Sequence, residues 1–127
     1  MMRLLSVEEI LVLHRKLIEQ TGGSYGVRDR GLIESAVNRA LATFDGQDLY
    51  SRAEDKIAAI TYGLVKNHGF IDGNKRVGIA AMLLLARLNG IHLEYSQSEL
   101  INLGLGVADG TIDEAGIIEW LSNHQKG

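Results

Sequence analysis

Nine consecutive residues, His68-Gly69-Phe70-Ile71-Asp72-Gly73-Asn74-Lys75-Arg76, carry most of the chemistry this sequence can offer. Histidine is the side chain that exchanges a proton most readily near neutral pH, so His68 is a candidate general base for an attacking hydroxyl. Asp72 is a lone carboxylate beside cationic and amide groups. Magnesium takes one or two carboxylates and fills its shell with phosphate oxygens, which makes Asp72 a candidate metal holder. Gly73 has no Cβ and lets a ligand oxygen approach the backbone. Asn74, Lys75 and Arg76 add an amide, a point charge and a planar fork suited to phosphate. Phe70, set among polar residues, is expected to point into the core and pin the loop. The set suits transfer of a phosphate group by positioning and charge neutralisation.

The element that must position these groups follows them directly. From Val77 to Ala86 every residue is apolar or glycine, and Asn89-Gly90 supplies a stop. A helix apolar all round belongs in the middle of a core. The polar loop therefore sits at the N-terminus of the most buried helix, where unpaired N–H groups and the helix dipole favour an anion. Lys75 and Arg76 in that first turn oppose the dipole unless an anion lies between them. Asp72 can cap this helix as well as hold a metal.

Five further helices are expected around it. Ser6 and Glu9 form a capping box opening helix one, which runs to about Gln20 with Ile10, Leu13, Leu17 and Ile18 at helical spacing. Gly22, Gly23 and Gly26 make a loop, and helix two starts at or just after Asp29. A box from Ser51 to Glu54 opens helix three, which ends near Asn67. Ser96 to Glu99 caps helix five, and Thr111 to Glu114 caps helix six. Ile91–Tyr95 alternates like an extended segment without a convincing partner strand. Asp45–Tyr50 is a short polar connection that can flank a cleft as a flap. The fold class is all-α: about six helices packed around the central fourth one.

The bulk numbers narrow the setting. A chain of 127 residues is expected to form one domain, 1–127, with a real core. The absence of cysteine removes disulfides, thiolate metal sites and a cysteine nucleophile, and fits a cytosol. Met1-Met2-Arg3-Leu4-Leu5 runs straight into Ser6-Val7-Glu8-Glu9, so neither a signal peptide nor a membrane span is expected. A net charge of −3 argues against a general nucleic-acid footprint. His14, His92 and His124 are scattered and read as structural or surface residues. Arg28, Asp29 and Glu34 read as local ion pairs and caps that fix the glycine-rich loop, and Tyr62 and Trp120 as core.

At His68–Arg76 the sequence resembles the Doc (death-on-curing) toxins of the Fic/Doc superfamily. It matches their pattern H-x-F-x-D-x-N-K-R, and the wider superfamily motif is H-P-F-x-[DE]-G-N-G-R-x-x-R. Arg28-Asp29-x-Gly31-Leu32-x-Glu34-Ser35-Ala36, Leu88-Asn89-Gly90 and the Asp109-Gly110 turn also look Doc-like. The resemblance implies a compact Fic/Doc-type helical bundle. It implies His68 as general base, Asp72 as Mg²⁺ ligand, and Asn74, Lys75 and Arg76 on nucleotide phosphates, with Gly73 among them. Lys75 replaces the wider motif's glycine, and Ile79 stands where its second arginine would be, both positions that serve AMP-transferring members. What is implied is a toxin of a toxin–antitoxin system that phosphorylates a Ser/Thr hydroxyl of a translation factor, elongation factor Tu, from ATP. It would be cytoplasmic, encoded by a bacterium or phage, and held by a cognate antitoxin that folds on binding. The alternatives are AMP transfer to a protein, or a catalytically idle binding module.

Overall fold

Ser6 accepts the Glu9 N–H at 3.1 Å while the Glu9 carboxylate accepts the Ser6 N–H at 2.9 Å, and this box opens α1 (Val7–Thr21). The computed structural model describes residues 2–126. α1 ends where Gly22 and Gly23 take positive φ. Asp29 caps α2 (Arg30–Asn38) through the Gly31 N–H. A 3₁₀ turn, Arg39–Leu41, tightens the chain and leaves Leu41 exposed. β1 (Thr43–Phe44) and β2 (Gln47–Asp48) then pair antiparallel around Asp45-Gly46, both at positive φ as a tight hairpin requires. α3 (Ala53–Asn67), α4 (Asn74–Leu88), α5 (Gln97–Asp109) and α6 (Glu114–His124) complete an all-α architecture of six helices.

α4 is central, and α3 shares the centre with it. α3 packs against α2, α4, α5, α6 and the 3₁₀ turn, while α4 packs against α1, α3 and α5. Two glycines allow the close crossings. A Cβ on Gly63 would stand 2.9 Å from Ala36, and one on Gly78 would stand 2.5 Å from Val65 Cγ2. One continuous core results, with Ile57, Val77, Met82, Leu85, Val107, Ile117 and Leu121 fully buried. The apolar helix α4 still has a partly exposed side, because Ile79, Ala80 and Leu83 border an apolar cleft of about 440 Å³ shared with α1 and α5.

Two helix starts differ from the expected capping boxes. α3 is capped at Arg52, whose N–H is accepted by Asp55, while Glu54 takes the amide of distant Gln125. The Arg52 guanidinium also bonds Asp55, which draws the cap one residue along the chain. α6 is capped by Asp113 through the Gly116 N–H, because Glu114 pairs with Arg39 of the 3₁₀ turn and Thr111 turns back to Asp109. The extended segment Ile91–Tyr95 does find a partner: the Glu94 N–H bonds the His124 carbonyl, and the Lys126 N–H bonds that of His92.

Candidate functional site

The loop between α3 and α4 is built from its neighbours inward. His68 ends α3 in the left-handed conformation, φ 54° and ψ 49°. Arg28 reaches across to donate to the carbonyls of His68, at 2.8 Å, and Asn67, at 3.4 Å. The Gly69 carbonyl takes two backbone N–H groups, from Arg28 and Asp29, and the Ile71 N–H returns a bond to Gly26. A Cβ at Gly69 would stand 2.5 Å from Ile33, so glycine fits there by packing. Phe70 is buried, and Asn74 grips its backbone from both ends, Oδ1 on the N–H and Nδ2 on the carbonyl, each at 3.0 Å.

Asp72 and Arg76 lie at the mouth of this loop. One Asp72 oxygen accepts the Gly73 N–H at 2.8 Å and the other the Ser24 N–H at 3.0 Å. These two N–H groups, with Arg76 and His14 nearby, hold the Asp72 carboxyl below the usual carboxylate range. Arg76 donates to Thr21 Oγ1 at 2.5 Å and to the Gly22 carbonyl at 2.7 Å, with its other nitrogen 3.6 Å from Asp72. It thus joins the end of α1 to the start of α4. The N-cap of α4 is Gly73, in the left-handed region at φ 78°, and Asp72 lies just outside it. Lys75 is exposed, and among the described residues its ammonium has no hydrogen bond or carboxylate partner.

An open cleft of about 410 Å³ lies over this helix start, lined by His68, Asp72, Gly73, Asn74, Lys75 and Arg76. The backbone N–H groups of Asn74, Lys75 and Arg76 form no hydrogen bond among the described residues; the α4 ladder begins with Val77 to Gly73. They are unpaired donors at the positive end of a buried helix, an anion-binding arrangement. All six polar and glycine residues singled out from the sequence therefore meet on one cleft. Their side chains divide the work differently from what residue type suggests. The Asn74 amide and the Arg76 fork are largely committed to holding the loop, which leaves backbone N–H groups and the Lys75 ammonium for an anion.

The donor set can be tested against a metal. Among the described residues no group of three His, Cys, Asp or Glu side chains comes together, and the cleft lining carries one carboxylate, Asp72, 45% exposed. A single charged carboxylate beside a phosphate pocket fits magnesium, which draws its remaining ligands from phosphate and water.

Two contributors escaped the sequence reading. The glycine-rich loop does more than end α1, because it delivers the Ser24 N–H to Asp72. His14 lies beneath the motif with its ring stacked on Phe70. The available signal was its place in the stripe Ile10, His14, Ile18, which a helix turns inward. The β1–β2 hairpin contributes no residue to the cleft lining.

A sequence model described as the Fic/DOC family matches residues 4–86. The chain is 46% identical to Toxin Doc of Mycolicibacterium smegmatis over 72 residues, which cover 57% of this chain and 55% of that protein. It spans little more than half that relative's length. It is 31% identical over 120 residues to Protein kinase doc of Escherichia phage P1, covering 94% of each.

Proposed function

The chain belongs to the Fic/DOC family, in its Doc branch, and on that premise we propose that it is a toxin of a toxin–antitoxin pair that transfers phosphate from ATP to a Ser/Thr hydroxyl of a protein. The observation that carries the reading is the set of unpaired N–H groups of Asn74, Lys75 and Arg76 beneath a cleft walled by His68, Asp72 and Lys75. The terminal phosphate of ATP lies over this helix start, with the free Lys75 ammonium beside it. His68 takes the proton of the incoming hydroxyl as its oxygen bonds to the phosphorus. The bond from that phosphorus to ADP breaks, and its electron pair leaves on ADP. Magnesium, when bound, neutralises phosphate charge, and Asp72 is the residue that would hold it.

Transfer of the terminal phosphate rather than AMP is favoured by Lys75 and Ile79. Lys75 places a charged chain where a glycine would leave room for a phosphate. Ile79 has no hydrogen-bonding group and lies against Gly104 of α5, within 3.4 Å of where a Cβ there would stand. The substrate is a translation factor of the elongation factor Tu kind, and the partner is an antitoxin with a segment that folds on binding. The protein acts in the cytoplasm of a bacterium. One domain spans 1–127, since α5 and α6 bury Leu103, Val107, Ile117 and Leu121 in the same core as the matched residues.

The test is incubation with bacterial lysate and ATP labelled at the α or the γ phosphate, followed by the mass of the modified protein. An adduct of about 80 Da with γ label is expected, whereas about 329 Da with α label would mean that the other bond of ATP breaks and would replace phosphotransfer by AMP transfer.

A further inference from the structure

His14 is the one titratable side chain among the buried described residues, 3% exposed. Burial of an imidazole is costly unless its polar atoms are used. Its ring stacks on Phe70, with centroids 3.8 Å apart and planes 11° apart. Its Nε2 lies 2.6 Å from the Asp72 carbonyl oxygen. A carbonyl only accepts, so Nε2 carries the proton and donates. One side chain of α1 thus touches the motif on both sides of Ile71. Phe70 is already clamped by Asn74, but the Asp72 peptide is followed at once by left-handed Gly73, where the chain swings into α4. The His14 bond is what fixes that peptide from the core side, while Ser24 and Gly73 hold the carboxylate from the surface side.

We infer that His14 is a positioning residue: its Nε2–H, rather than its bulk, orients Asp72 on the cleft wall. The inference rests on the phosphotransfer reading for what the carboxylate does, whereas the orientation itself belongs to the free protein. The conservative substitutions separate donor from bulk. His14→Phe keeps the aromatic stack and loses the donor; His14→Gln keeps an N–H donor and loses the ring.

The experiment uses the full chain, free and with ATP and Mg²⁺. In the wild type, NMR should show a protected imidazole Nε2–H at His14, and its absence would overturn the inference without recourse to any variant. Exchange of the Ser24 and Gly73 amides, which bond the Asp72 carboxylate, should quicken about tenfold in His14→Phe and stay within about threefold of wild type in His14→Gln, with α3 core amides unmoved. Unaltered exchange at Ser24 and Gly73 in a folded His14→Phe protein would also overturn it. The gain in ATP affinity on adding Mg²⁺ should shrink about tenfold in His14→Phe and recover in His14→Gln, the signature of lost positioning of a charged ligand rather than lost fold. Should exchange respond as stated while the wild type binds no ATP, positioning stands and the phosphotransfer reading fails.

Discussion

His68 occupies a backbone conformation that glycine usually fills. A non-glycine residue in the left-handed region costs about 1–2 kcal/mol, and helices commonly end on glycine for that reason. Such strain gathers where a side chain is needed for function, and His68 is exposed on the cleft with little packing to repay it. The Arg28 bond to residue 68 is made to the main-chain carbonyl and survives any substitution there. His68→Gly is therefore expected to abolish transfer while leaving stability equal or raised by up to about 1 kcal/mol, after the extra chain entropy of glycine is set against the relieved strain. Denaturant midpoints and a labelled-ATP assay check both halves. A His68→Gly protein that still transfers phosphate would remove His68 from the role of base, and a markedly destabilised one would refute the strain at this position.

Among the elements, α5 and α6 share a clasp that makes their packing depend on pH. Glu99 accepts the Ser96 N–H that opens α5, and its other oxygen lies 2.8 Å from His124 Nε2 in the last turn of α6. His124 Nδ1 faces the Trp120 carbonyl at 2.7 Å, so the doubly protonated ring satisfies both partners. The Ser96 N–H and then His124 pull the Glu99 carboxyl down to about 2. Burial is the largest single influence on His124 and lowers it, but Glu99 and the Trp120 carbonyl together outweigh burial and raise it. The signs follow by linkage. The His124 contribution is whole below the unfolded value of about 6.5 and is lost as pH rises through the raised folded value. The Glu99 contribution is whole above about 4.3 and is lost as pH falls through its depressed value. The clasp is complete between those limits. The melting-temperature gap between wild type and His124→Gln should be widest near pH 5–6 and narrow on the alkaline side, as the imidazolium discharges. A gap constant from about pH 5 to pH 9 would show that ring stacking on Trp120, not charge, ties α6 down.

At the scale of the whole molecule, the site is assembled from α1, the glycine-rich loop, α3 and α4, all parts of one core, and its cleft is open in the free chain. Under the proposed function, an antitoxin is what restrains that open cleft. Expression in a susceptible bacterium is expected to stop growth, His68→Ala to restore it, and co-expression of a cognate antitoxin to restore it as well. Colony counts measure this. Harmless expression of a folded, ATP-binding protein would remove the toxin assignment and leave the fold as it is.

Local rules carried the sequence a long way. The boxes at Ser6–Glu9 and Ser96–Glu99, the Asp29 cap, the glycine stops and the apolar run of α4 all act within a few residues, so their order along the chain is enough to read them. The cluster from His68 to Arg76 was legible for the same reason, since a helix start gathers its own first turn into one place. What the tertiary structure decided are choices between local and distant partners. Glu54 and Glu114 leave their expected caps because Gln125 and Arg39 approach them, and Ile91–Tyr95 pairs with the last residue of α6 and the chain just after it. The Arg76 fork turns to Thr21 and Gly22 because packing α1 onto α4 brings those acceptors within reach, whereas the Asn74 amide closes on Phe70 within the loop itself. His14 meets Asp72 only through that same packing. Side-chain type and spacing state what a group can bond; which bond forms depends on the surfaces that burial of the apolar stripes presses together.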